Sequence, residues 1–207
     1  MITIINYGTG NFSALGNILK NLKIDFQISN EYESIKKSEK YILPGVGSFD
    51  NAMNSLQDSN VINLLHREVF NNKKHILGIC IGMQILSNRS DEGKMKGLGW
   101  IPGQVKKFDN KIFEKQKLPL PHMGWNSIND NSNKTHPLFK NIDFKAGFYY
   151  LHNYFFCPSC EDNIIAKSNY GIDFTCAISN QNIYGVQFHP EKSHDNGIQF
   201  LKNFALL

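Results

Sequence analysis

Apolar residues follow two different rhythms along this chain, and the change between them comes near its middle. In the first half, short unbroken apolar runs alternate with segments whose apolar positions recur every three or four residues. Residues 2–6 read as a buried strand, and Phe12, Leu15, Ile18, Leu19 and Leu22 then share one face of a helix that begins near Asn11. Strands are predicted again at residues 26–29 and 40–43, with a weak helical pattern at 33–37 between them. From Asp50 the rhythm is helical through Ala52, Met53 and Leu56, then Val61, Ile62, Leu64, Leu65 and Phe70. A further strand at 75–79 leads into a helix carrying Met83, Ile85 and Leu86, which Ser90-Asp91-Glu92-Gly93 must end. Such alternation predicts a parallel sheet with helices on both faces and ligands outside the carboxyl ends of its strands.

After Gly99 the pieces become shorter and β-rich: residues 104–108, 123–128, 147–156 and 164–167. Residues 174–179 and 183–188 read as a hairpin around Asn180-Gln181-Asn182, and a last amphipathic helix presents Ile198, Leu201 and Phe204 on one side. The fold class is therefore α/β: one domain over residues 1–207, with a central, mostly parallel sheet flanked by helices and a β-rich C-terminal half. Composition agrees, since 41% hydrophobic and 19% charged residues are what a water-soluble globular chain carries. The net charge of +4 is spread over scattered lysines, which points to solvated faces rather than a nucleic-acid surface. No apolar run reaches the roughly 18 residues of a membrane span, and the N-terminus lacks a basic leader, so a cytoplasmic protein is expected. In that reducing compartment the four cysteines need no bridges, and Cys157-Pro158-Ser159-Cys160 is expected to be a surface loop.

The candidate chemistry starts at Gly78-Ile79-Cys80-Ile81-Gly82, the thiol form of a nucleophile elbow. Two glycines let strand and helix approach closely, while the helix N-terminus favours thiolate over thiol. The N–H of Ile81 then points at the space before the sulfur, half of an oxyanion hole. The ordinary alternative is that Cys80 is a small core residue. At the end of the strand at 40–43, Pro44-Gly45-Val46-Gly47-Ser48 exposes backbone amides suited to a ligand or an oxyanion, or else forms a flexible loop. Tyr7-Gly8-Thr9-Gly10-Asn11 is read as a tight turn, because Ser13 stands where a phosphate-binding loop needs glycine. Near the other end, His189-Pro190-Glu191 supplies a base at a strand end and a carboxylate that can hold its far nitrogen.

Taken with Leu43-Pro44-Gly45-Val46-Gly47-Ser48-Phe49, Gly97-Leu98-Gly99-Trp100-Ile101-Pro102-Gly103, Pro121-His122-Met123-Gly124-Trp125-Asn126 and Gly185-Val186-Gln187-Phe188-His189-Pro190-Glu191-Lys192-Ser193, these motifs resemble the class I, or triad, glutamine amidotransferases. Within them the chain is most similar to the glutaminase subunit of imidazole glycerol phosphate synthase. The resemblance implies a flavodoxin-like domain in which Cys80 is nucleophile, His189 base and Glu191 orienter, with oxyanion donors at Val46, Gly47 and Ile81. It implies glutamine contacts at Gln84, Glu92, His152, Asn153 and Tyr154, where Glu92 could receive the substrate ammonium. A docking face at Trp125 and Lys192 is implied too, for a cyclase partner that accepts ammonia in a heterodimer. The implied chemistry needs no metal or organic cofactor. Asn153 stands where serine is usual in the family, Asn6 where aspartate is usual, and the Cys157–Cys160 pair has no counterpart there. These departures leave room for a paralogue that feeds a sugar-amidating synthase. A peptidase-like hydrolase with the same triad and a regulatory subunit with a degenerate site are the further alternatives.

Overall fold

The first rhythm folds as its alternation requires. A computed structural model describes residues 1–130 and 136–207. Strands β1 (Ile2–Ile5), β2 (Phe26–Ser29), β3 (Lys40–Leu43) and β4 (His75–Ile79) are parallel neighbours. Helices α1 (Phe12–Asn21), α2 (Tyr32–Lys37), α3 (Phe49–Asp58) and α4 (Ile62–His66) connect them, the last running on into a π turn at Arg67–Asn71. Asn11 begins α1 as expected, its side chain accepting the N–H of Ala14 at 3.4 Å. The remaining elements are α5 (Ile81–Gln84), β5 (Arg89–Ser90), β6 (Gly103–Lys107), α6 (Asn110–Gln116), β7 (His122–Asn126), β8 (Asn129–Asp130), β9 (Phe148–His152), β10 (Tyr154–Pro158), β11 (Ile164–Tyr170), β12 (Ile172–Asn180), β13 (Ile183–Val186) and α7 (His194–Leu206).

The main sheet holds eleven strands along the path β2-β1-β3-β4-β13-β12-β10-β6-β5, with β11 on β12 and β8 on β11. Its first five members are parallel, the hairpin β12–β13 makes the pairs through β12, β10 and β6 antiparallel, and β5 joins β6 in parallel. Strand direction around β1 sets the helix layers. Because β2 and β3 lie on opposite sides of β1, right-handed crossovers carry α1 and α2 to opposite faces. Accordingly α1 packs with α7 and α2 with α4. All four residues of β13 are buried, as a strand covered on both faces demands.

Four local expectations need correction. The helix after the elbow is only Ile81–Gln84, so Ile85 and Leu86 lie beyond it and Ser90 is in β5. Its continuation is blocked because Leu98, Gly99 and Ile101 donate their N–H groups to the carbonyls of Ile85, Ser87 and Leu86, at 2.8, 2.8 and 3.1 Å. The expected strand at 147–156 is two strands broken at Asn153: β9 joins β7 in a separate two-stranded sheet, while β10 enters the main sheet. Helix α6 falls where no helix was predicted, and its N-terminus is capped by Asp109. Cys157 is not in a loop but on β10, opposite Gln104, whereas Cys160 is exposed beyond it.

A cluster of Phe148, Phe188 and Phe200 locks β9, the end of β13 and α7 together, with Phe148 stacked on Phe188 at 3.8 Å between centroids. Each is fully buried, which stabilises the fold by about 1.5–3 kcal/mol per ring relative to exposure. This packing fixes the residue that follows Phe188, the candidate base.

Candidate active site

The carboxyl ends of β3, β4 and β13 converge on one cleft of about 280 Å³, lined by Val46, Gly47, Cys80, Ile81, Gln84, Glu92, His152, Asn153, Tyr154, His189 and Lys192 together with Leu151. Cys80 sits at its base, 3% exposed, on a backbone with φ +54° and ψ −111°. That conformation is rare for a side-chain-bearing residue and is held in place from both sides. Its N–H donates to Val186 O at 2.8 Å, and the next turn packs so tightly on β3 that a Cβ on Gly82 would stand 1.8 Å from Leu43 O. The N–H of Ile81 opens α5 and has no acceptor within that helix.

His189 is 3% exposed. Its N–H donates to Tyr149 O at 2.9 Å, and its carbonyl accepts from Ser193 Oγ, which in turn accepts the Tyr149 N–H. Nδ1 lies 2.9 Å from Glu191 Oε1, so the other ring nitrogen is the one that meets Cys80. Burial alone would lower the imidazole's proton affinity. The charge of Cys80 and hydrogen bonds to Cys80 and Glu191 outweigh it and raise the pKa to about 10. Cys80 and His189 are thus hydrogen-bonded partners, with Glu191 behind the ring.

Gln84, 1% exposed, donates through Nε2 to Tyr154 O at 3.1 Å and to Gln187 Oε1 at 3.0 Å. Its own Oε1 is buried without a hydrogen-bond partner, while the residue as a whole lines the cleft. Glu92 also borders the cleft, but Oε2 already accepts the Phe49 N–H at 2.7 Å and so caps α3. Burial pushes its pKa up; the bond from Phe49 works against this, and the charge of Asp50 adds to it. For His152 both ring nitrogens are taken inside the protein, by Tyr154 O at 2.8 Å and His122 Nδ1 at 2.9 Å. It shapes the wall of the cleft and offers no free donor to it. Asn153 is exposed on the rim, with its carbonyl bonded to Phe108 N. Gly47 has φ +92° and open space around it, so the loop carrying Val46 retains room to move.

Lys192 lines this cleft from the turn after His189, whereas Trp125 of the small sheet lines a separate hollow with Asp143, Ala146, Ser193 and His194. Trp125 is 47% exposed and stacks flat on His194 at 5.2 Å, while Lys192 lies over the Tyr149 ring at 5.4 Å. The outward face of the small sheet pairs Met123 with Leu151 and Trp125 with Tyr149. Met123 and Leu151 are exposed as well. Gln187 is the residue sequence reasoning missed. It is fully buried, and a buried amide must have partners, which only the fold brings to it in Gln84 and Cys80.

The family model for class I glutamine amidotransferases matches residues 3–207. The chain belongs to this family. A curated relative named imidazole glycerol phosphate synthase subunit HisH from Leptospira borgpetersenii is 48% identical over the whole of both chains. The subunit of the same name from Bdellovibrio bacteriovorus is 46% identical over 99% of each. Among solved structures, that of PurLQS from Thermotoga maritima superposes with a TM-score of 0.74, covering 98% of this chain and 96% of that one at 15% identity. The amidotransferase fold and the converging cysteine, histidine and glutamate thus agree with what the motifs led one to expect. No helix among the described residues is long and apolar enough to cross a membrane.

Proposed function

We propose that this amidotransferase hydrolyses glutamine on Cys80 and passes the ammonia to a cyclase subunit that makes imidazole glycerol phosphate, in histidine biosynthesis. The observation that carries the reading is Cys80 held against His189 and Glu191 at the base of a cleft that Gln84 and Glu92 also line. The free lone pairs of the Glu92 carboxylate suit the substrate's ammonium group, and Gln84 lines the wall beside it. Asn153 and Tyr154 close the far wall.

The thiolate attacks the side-chain amide carbon, and the resulting oxyanion lies toward the N–H of Ile81. A second donor would come from the Val46–Gly47 peptides once they are turned inward. The His189 proton that faces the sulfur goes to the departing nitrogen, ammonia leaves, and a thioester remains. His189 then takes a proton from water as it attacks the thioester, and glutamate is released. Glu191 keeps the ring oriented throughout.

Relatives named as synthase subunits support a heterodimer, and the docking face proposed for it is Trp125 and Lys192, so that ammonia passes inward without meeting water. Four free cysteines fit a cytoplasmic setting. Glutamine turnover should be measured for the chain alone, with the cyclase, and with the cyclase plus its nucleotide substrate. A rise at each step is expected, as is loss of turnover in Cys80→Ala with product formation restored by added ammonia. Substantial turnover by Cys80→Ala would overturn the chemistry. Activation only by a sugar-amidating synthase would keep the chemistry and reject the pathway.

A further inference from the structure

Gln187 follows β13 directly, and its surroundings fix which end of its amide faces which neighbour. A backbone carbonyl only accepts, so the Gln84 atom 3.1 Å from Tyr154 O is Nε2. The same Nε2 lies 3.0 Å from the Gln187 side chain, which must therefore present Oε1 to it. The other end, Nε2, is then left facing Cys80 Sγ at 3.7 Å. One carbonyl on β10 thus sets the direction of every hydrogen along a buried path to the sulfur.

We infer that Gln187 is a second hydrogen-bond donor to Cys80 beside His189, stabilising its thiolate. An anionic sulfur accepts such a bond more strongly than a thiol does, so the contact favours the charged form. The two donors differ in kind. His189 surrenders its proton during the reaction, whereas an amide N–H does not titrate and stays in place at every pH. Its stabilisation weakens when the sulfur is acylated and returns when water expels the sulfur as a thiolate, so it assists the second half of the reaction as well. The ionisable groups that share the surroundings of the sulfur are His189 with Glu191 behind it, Tyr7 beyond the end of β1, and Glu92, Tyr154, His152 and Lys192 around the cleft. Gln187 adds no charge to that set, so its effect is separable from theirs by substitution.

This role rests on Cys80 being the nucleophile proposed above, and the test reads the sulfur without any glutamine present. Full-length wild type, Gln187→Met and Gln187→Glu are reacted with iodoacetamide across a pH series, and modification is followed at the peptide containing Cys80. Gln187→Met keeps the volume and removes the donor. Its alkylation midpoint should move up by about one pH unit, a roughly tenfold loss of thiolate below the midpoint. Gln187→Glu keeps the acceptor for Gln84 and replaces the donor by an anion, so its midpoint should rise further. A melting curve establishes that each variant is folded, and where the methionine variant is not, the glutamate variant decides. An unchanged midpoint in a folded variant would overturn the inference. Glutamine turnover bears separately on the reading of the site, because Cys80 can hold a tuned thiolate whatever its substrate.

Discussion

At Cys80 the backbone itself is under load, since a positive φ with ψ near −111° costs of order 1–3 kcal/mol for a residue with a side chain. What offsets it is packing, above all the approach of Gly82 to Leu43 O, where no Cβ fits. Gly82→Val should therefore lower stability by about 3 kcal/mol in urea unfolding and reduce glutamine turnover with it. Wild-type stability would show that the close approach is not what the glycine serves. The triad was legible in the sequence because each member stands in a short motif whose geometry is local: an elbow for Cys80, a strand end followed by a turn for His189 and Glu191. Gln187 was not, since an amide in an apolar strand acquires its meaning only from Gln84 and Tyr154, both distant in the chain. Glu92 was legible only in part. Its place at the cleft was foreseen, but its bond to the first residue of α3 depends on how the loop folds back.

Among the elements, the paired strands β7 and β9 bury a histidine each, and the two rings meet at 2.9 Å. Burial holds the pKa of His122 down to about 4; burial, then the neighbouring His122, hold that of His152 down to about 3. Both stay neutral in the folded chain, while the unfolded chain takes up protons below about pH 6.5. Folding stability should accordingly fall as pH drops from about 6.5 toward about 4, by up to about 1.4 kcal/mol per pH unit for each ring. Urea unfolding at pH 6.5 and 5 measures this, and His122→Asn should roughly halve the slope; an equal slope would assign the acid sensitivity elsewhere. His189 works in the opposite sense: its raised pKa gives stability that is complete below about 6.5 and lost as pH climbs through about 10. The strands of the parallel half were legible because unbroken apolar runs alternate there with helical spacing. The strands of the small sheet were legible as β-rich pieces, but their separation from the main sheet was not, because 147–156 reads as a single run until Asn153 is seen to part it between two sheets.

For the molecule as a whole, Leu151 of the small sheet and the exposed Val46 line the cleft, and Met123 and Trp125 extend an exposed apolar face that a docked cyclase would cover. Trp125 is 47% exposed there and stacks on the His194 ring. Trp125→Ala should weaken binding to the cyclase by tenfold or more in titration calorimetry while leaving the melting temperature of the free chain unchanged. An unaltered affinity would move the docking face elsewhere. The sheet order carries a further consequence, for the way the chain is made. Strand β4, which ends at the nucleophile, pairs on one side with β13, and Gln187 is 107 residues away from Cys80 in sequence. During synthesis β1 to β4 emerge first and stand with one edge of β4 unpaired, a template for wrong partners until the hairpin arrives. Closing so long a loop is slow compared with forming the local helices. The sulfur therefore gains its base, its orienter and its amide donor together, in one late step, and a nascent chain on the ribosome has no means of consuming glutamine before that step.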